Sequence, residues 1–244
     1  MADSDRNWRL WGERDPYYAV LTDPRFRSGS IGANRQEFFA SGEASVGHWL
    51  AQIEQHFGAL PRGRALDFGC GVGRLTIPLS GHFGAVVGLD IAPAMLDEAR
   101  RNSVGRAIDY RLSDDTLSQV EGAFDFVISC IVLQHIPVAR GMALLAQLLG
   151  RVRPGGGCLI QLSTKRHNSR WGELGYHIRH SVPGGQAVMN LLCGRGADTP
   201  VMQMNEYPLD AVLRLFHANG FAEMLVRYEE HGGTDTAMIL ARRH

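Results

Sequence analysis

The stretch ALDFGCGVGRL, from Ala65 to Leu75, joins an apolar strand directly to a glycine-dense turn and then to the start of a helix. Gly69, Gly71 and Gly73 lack a side chain and tolerate positive φ, so a ligand can lie against the backbone there. A helix beginning near Arg74 would aim its unpaired N–H groups at the same place. Asp67 ends the strand, and Asp90 closes the next one, VVGLD. Two carboxylates therefore flank the turn where a phosphate site would carry a lysine. The ligand expected there carries hydroxyls or a cation.

Outward from this turn, strand-like and helical runs alternate. Ala65–Phe68, Val86–Asp90, Ile108–Leu112, Phe124–Cys130 and Cys158–Ser163 read as strands; Leu75–Ser80, Pro93–Asn102 and Gly141–Arg151 read as helices. Strands separated by helix-length crossovers predict a parallel sheet covered on both faces. The near-continuous apolar character of FDFVISC and CLIQLS agrees with burial on both sides. RPGGG, from Arg153 to Gly157, reads as the stop of the preceding helix and a tight turn. PLDAVLRLFHANG reads as an amphipathic helix, followed by two strands, FAEMLVRYEE and TAMILARR, around the turn-rich HGGTD.

The flanks differ from this core. Residues 1–57 read as a helical, aromatic cap, with Asp15-Pro16 and Asp23-Pro24 marking turns or helix starts. Residues 164–206 mix Gly, Pro, His and Arg with short apolar patches and read as an insertion or lid. The expected organisation is a single domain over 1–244: cap 1–57, core 58–163, lid 164–206, and terminal helix and strand pair 207–244. A chain of 244 residues, 45% hydrophobic, can bury one such α/β core. Lys plus Arg and Asp plus Glu both number 25, which argues against a broad nucleic-acid or anionic-membrane footprint. The four cysteines, Cys70, Cys130, Cys158 and Cys193, lack the close pairing of zinc or redox sites and read as free thiols. The N-terminus has acids and no apolar segment, so neither a signal peptide nor a membrane span is expected, and a cytoplasmic location follows.

The ordered set of strand, DFGCGVG, helix, strand ending in Asp90, a later acid, FDFVISCIVLQHI and RPGGG resembles the class I methyltransferases that use S-adenosylmethionine. The resemblance covers about Arg62 to Ser163 closely and the terminal elements more loosely. It implies an α/β, doubly wound, mainly parallel seven-stranded sheet with an antiparallel last strand and helices on both faces. It also implies S-adenosylmethionine as cofactor, S-adenosylhomocysteine as product, and no metal. Carried over residue by residue, Gly69, Cys70, Gly71 and Gly73 would lie under the methionine portion, with Asp67 orienting its amino group. Asp90 would accept both ribose hydroxyls. Ile91 would cover the adenine, and Asp114, or Asp115 if the loop is displaced by one residue, would receive its exocyclic amine. The backbone at Ser129 and Cys130 would face the methionine amine.

Methyl transfer from a sulfonium depends chiefly on holding the nucleophile in line with the breaking bond. A base is needed only for a protonated acceptor. His135, in VLQHIP just beyond the fourth strand, is the candidate base; its other reading is an imidazole that bonds a loop backbone and shapes the pocket. Gln134 reads as a positional hydrogen-bonding partner. The acceptor, expected to be a small molecule methylated on O, N or C, should enter between cap and lid, where Tyr17, Tyr18, Trp171 and Tyr176 are candidate lining residues. A protein or RNA substrate would call for a basic surface from Arg166, Arg170, Arg179 and Arg195. A nicotinamide-dependent oxidoreductase shares the strand, glycine turn and acid, but no Tyr-x-x-x-Lys pairing is visible. Neither a nucleic-acid nor a membrane partner is expected, and the chain should be a monomer or homodimer.

Overall fold

The computed structural model describes residues 3–167, 170–231 and 233–244. It opens with α1 (Ser4–Arg14), capped by Asp3, whose carboxylate accepts from the Arg6 N–H. The two Asp-Pro dipeptides behave as read: Pro16 starts α2 (Pro16–Val20) and Pro24 starts a single 3-10 turn, Pro24–Phe26. Fixed φ and the missing N–H suit proline to a first helical position. A long α3 (Ile31–Phe57) then leads to the sheet.

β1 (Arg64–Phe68), β2 (Ala85–Asp90), β3 (Ile108–Leu112) and β4 (Phe124–Ser129) follow, with α4 (Thr76–Leu79) after β1 and α5 (Pro93–Asn102) after β2. α6 (Val138–Gly150) leads into β5 (Val152–Arg166). After β5 come α7 (Arg170–Ser181), α8 (Gly185–Leu192), α9 (Leu209–Ala218), β6 (Met224–His231) and β7 (Thr234–Arg242). The seven strands lie in the order β3-β2-β1-β4-β5-β7-β6. β1 to β5 pair in parallel, and β7 runs antiparallel to both β5 and β6. The sheet is the one expected, with its last strand reversed.

Alternation along β1 shows why both faces are covered. Leu66 and Phe68 join a core with α6 and α9, through Leu144, Leu148, Val212 and Phe216. Ala65 joins the opposite core, built with Val46, Trp49, Leu50 and Ile53 of α3. Neighbouring residues of a strand point to opposite faces, so a strand apolar at every position is buried twice.

Three local expectations are corrected. The helix after the glycine turn, read as Leu75–Ser80 and starting near Arg74, starts at Thr76 and is the single turn Thr76–Leu79; residues 71–75 form turns. RPGGG is not a turn outside the sheet. It lies within β5, where the pairing jumps from Phe124↔Val152 to Phe126↔Gly157 and Gly155 takes φ +77°. The glycines absorb a bulge, which uses the same backbone freedom as a turn. β5 also runs three residues beyond the expected Ser163, so the excursion before β6 begins after Arg166.

Candidate active site

The chain passes from β1 to β2 and β3 on one side of the sheet, then returns to β4 on the other. At such a switch point the loops leave β1 and β4 in opposite directions and open a crevice beyond their carboxyl ends. A cleft of about 940 Å³, its open mouth included, lies there. It is lined by the turn after β1, the ends of β2 and β3, the loop after β4, and side chains of α1 and α2.

The turn is tied down before any ligand is considered. Gly69 and Cys70 N–H both donate to the Leu89 carbonyl (2.8 and 2.9 Å), fastening the turn to β2. Gly69 has φ +77°, and an added Cβ would lie 2.2 Å from a Val132 methyl, so the loops after β1 and β4 meet only because this residue has no side chain. Asp90 Oδ2 accepts from Gly71 N–H and Oδ1 from Ala92 N–H, each at 2.9 Å. Two backbone donors thus hold the carboxylate at the rim, and each oxygen keeps further acceptor capacity toward the cleft. Burial raises the Asp90 pKa to about 6 against the lowering effect of those bonds.

Asp67 is buried and accepts from Thr76 Oγ1 at 2.6 Å. Desolvation raises it to about 6, opposed by Thr76 and by the Arg74 charge. Arg74 is itself only 6% exposed, with Nη1 reaching Ser41 Oγ at 3.4 Å and Nε without a partner. A guanidinium so poorly paired in a closed wall favours an anionic group in the cleft.

His135 sits in a 3-10 turn, Leu133–His135, after β4. Its Nδ1 lies 2.5 Å from the Gln203 carbonyl, so Nδ1 carries the proton and Nε2 is the lone-pair nitrogen. Trp8 packs on the ring at 4.8 Å, and Ser4 Oγ donates to the His135 carbonyl at 2.7 Å. Burial lowers the imidazole to about 4. The ring is neutral near pH 7 and weakly basic.

Of the expected cofactor residues, Asp67, Gly69, Cys70, Gly71, Asp90, Ile91, Asp114, Asp115 and Cys130 line the cleft together with His135. Gly73 and Ser129 stand behind it: a Cβ on Gly73 would meet the Tyr110 hydroxyl at 2.9 Å, and Ser129 is fully buried in β4. Asp114 spends much of its carboxylate on its own loop, with Oδ1 accepting from Thr116 and Ser118 N–H and Oδ2 from the Ser118 hydroxyl. Oδ2 retains a lone pair, so an exocyclic amine is chemically admissible there. Asp115 pairs with Arg140, which also binds Asp5 of α1.

The acceptor-side residues fall differently. Tyr17 is buried among Phe38 and Phe39, its hydroxyl on Glu98 (2.6 Å) and Asn102 (2.9 Å). Tyr18 lies under the Arg27 guanidinium, 3.7 Å from its ring centre. Tyr176 bonds the Met204 carbonyl at 2.9 Å, and Gln134 is buried behind the loop, where Asn205 N–H reaches its carbonyl. None of these four is on the cleft wall; their polar atoms or rings are engaged within the cap, the lid and the turn after β4. The Trp171 side chain lies outside the described residues. In their place the wall is built from Ser4, Asp5, Trp8, Ala19 and Val20 of the cap, with Ile131, Val132 and Ile136 after β4. Ile131 has φ +60°, a left-handed conformation costly for a β-branched residue and concentrated at functional sites. Trp8 was visible as an aromatic of the cap; nothing in the sequence marks Ile131.

The family described as "Methyltransferase domain" matches residues 65–156. The chain is 32% identical over 102 residues to a ubiquinone biosynthesis O-methyltransferase of Xanthomonas campestris, covering 40% of this chain and 42% of that enzyme. It is 36% identical over 100 residues to a trans-aconitate 2-methyltransferase of Methylobacterium radiotolerans, covering 40% and 37%. The chain thus spans about two fifths of the length of these curated relatives. Among solved structures, magnesium protoporphyrin IX methyltransferase from Synechocystis, with bound S-adenosylhomocysteine, superposes with a TM-score of 0.64 over 99% of this chain and all of that one, at 21% identity.

Proposed function

We propose that the chain, whose residues 65–156 match the family described as a methyltransferase domain, transfers the methyl group of S-adenosylmethionine to a small molecule. The observation that carries this reading is Asp90 at the tip of β2, held by Gly71 and Ala92 N–H beside a glycine turn too tight for a Cβ. Its remaining acceptor capacity suits a vicinal diol. The donor set around it fits the cofactor: Asp67 for the amino group, Arg74 for the carboxylate, and Ile91 for one face of the adenine. When bound, the cofactor supplies a sulfonium-borne methyl whose departure leaves a neutral thioether.

The chain's own part is positioning and exclusion of water. Trp8, Val20, Ile131, Val132 and Ile136 give the cleft an apolar wall on the cap side. That wall favours an acceptor with an apolar or aromatic body. His135 Nε2 would accept the acceptor's proton, an arrangement that suits a hydroxyl, and the relatives named as O-methyltransferases support oxygen as the methylated atom. Residues 1–57 would serve as cap and the excursion from 167 to 206, after the end of β5, as lid of one domain.

Isothermal titration of S-adenosylmethionine and S-adenosylhomocysteine into the protein and into Asp90→Ala tests the reading. One-to-one binding, weakened at least about tenfold in the variant, is expected for the loss of two charge-assisted hydrogen bonds. Equal binding by both proteins removes Asp90 from the site. For the chemistry, His135→Ala should lower turnover by about a hundredfold while cofactor affinity holds. Equal loss of both, or of neither, assigns the imidazole to loop packing.

A further inference from the structure

The helix α8 is turned inside out. Asn190 is fully buried, its amide donating to the Ala197 and Thr199 carbonyls at 3.3 and 2.8 Å, and Gln186 bonds Asn7 of α1 and the Thr199 carbonyl. The outward stripe, at i, i+3 and i+4, is Val188, Leu191 and Leu192, exposed by 54%, 62% and 76%. A helix in a soluble fold buries its apolar stripe and exposes its amides. Leu174, within α7, and Val182, just past its end, are exposed as well, so this one excursion carries five of the eight large apolar side chains exposed among the described residues.

The charge around the patch has one sign. Arg195 follows α8, its N–H on the Asn190 carbonyl, and Arg179 reaches the Cys193 sulfur at the same helix end. Neither arginine is in an ion pair among the described residues. The nearby acids are engaged elsewhere, Glu173 with Arg166 and Asp198 with Arg14. A second copy docked face to face would bring these arginines against their own counterparts with no acid between them. Apolar side chains beside unpaired arginines instead match the acyl boundary and phosphates of a lipid leaflet.

We propose that the α7–α8 face is a peripheral docking surface for anionic lipid, reaching beyond the proposed methyl transfer. Leu191, Leu192 and Val188 enter the headgroup boundary, and Arg179 and Arg195 meet the phosphates. This is contact with a surface and not a span; no helix among the described residues is long and apolar enough to cross a membrane. α8 is bonded to α1 through Gln186 and Asn7, and α1 supplies Ser4, Asp5 and Trp8 to the cleft, so the surface lies beside the cap.

Co-sedimentation with vesicles of equimolar phosphatidylcholine and phosphatidylglycerol, and with phosphatidylcholine alone, tests this. The full chain should sediment with the anionic vesicles, less so as salt rises, and scarcely with the neutral ones. Arg179→Gln and Arg195→Gln should each lower the partition about fivefold, and Leu191→Ser with Leu192→Ser should lower it at least about tenfold. None of the four positions lines the cleft, and S-adenosylmethionine affinity measured on the same preparations should not change; that arm reports separately on the proposed activity. Absence of binding to anionic vesicles at low salt overturns the proposal, as does undiminished binding by the Leu191/Leu192 variant. A dimer that this variant dissociates, without vesicle binding, assigns the face to a second copy instead.

Discussion

Asp90 couples the site to pH in a direction that can be worked out. Its folded pKa, about 6, lies above the ordinary carboxylate value because burial penalises the charge. The protonated form therefore stabilises the fold below about pH 4, and that contribution is lost as pH rises to about 6. Ribose hydroxyls donate to the ionised form, so cofactor affinity should rise about tenfold from about pH 5 to about pH 7 on account of this group. Titration calorimetry across that range should show the rise, and Asp90→Asn should remove its share; an affinity independent of pH contradicts the assignment. His135 has the opposite sign. With its pKa lowered to about 4, it contributes stability above about pH 6.5 that is lost as pH falls toward 4. A turnover profile with an acid limb near pH 6.5 assigned to His135 would rule out the buried neutral ring. Asp90 could be read from sequence because a strand, a glycine turn and a second strand ending in an acid are all local patterns. Ser4 could not, since it meets the His135 carbonyl across 131 positions of chain.

At the scale of elements, two of the three glycines of α3, Gly42 and Gly47, have opposite meanings. A Cβ on Gly42 would lie 2.1 Å from the Arg74 carbonyl oxygen, whereas one on Gly47 meets nothing within 4 Å. Gly42→Ala should cost about 1–3 kcal/mol in urea unfolding through forced separation of α3 from the turn. Gly47→Ala should gain up to about 1 kcal/mol through helix propensity. Similar effects at both positions would contradict the close approach at Gly42. The turn Leu133–His135 is held from the far side by Tyr207, whose hydroxyl lies between the Leu133 and Ile136 carbonyls at 2.8 and 2.9 Å. Tyr207→Phe should cost about 1–2 kcal/mol and lower turnover more than cofactor affinity, which kinetics and calorimetry on the same protein can separate. The elements themselves were largely legible, because period-two and period-3.6 patterns and the Asp-Pro starts are local signals. RPGGG was not, since proline and glycine mark a turn and a bulge alike, and only the register of β4 on β5 tells them apart.

For the whole molecule, the reversal of strand order between β1 and β4 places the cleft, and the helices of the cap close one side of it. The doubly wound sheet was readable as alternation of apolar strands with crossovers. The acceptor wall was not, because it forms where the first 20 residues meet the loop after β4, and aromatic content does not say which rings pack on one another. Tyr17 went to the cap's own core and Tyr18 to the Arg27 guanidinium, while Trp8 reached the cleft. Because a ligand that binds only the folded state stabilises it, saturating S-adenosylhomocysteine at about a hundred times its Kd should add about 2.7 kcal/mol to unfolding. In the proposed function, the tips of β1 and β2 grip a sulfonium nucleoside through Asp90. Calorimetric titration of S-adenosylmethionine into folded protein, beside Asp90→Ala, tests it most directly. One site with affinity sharply reduced in the variant is the predicted result; no heat and no thermal shift with either the cofactor or its demethylated product would contradict it.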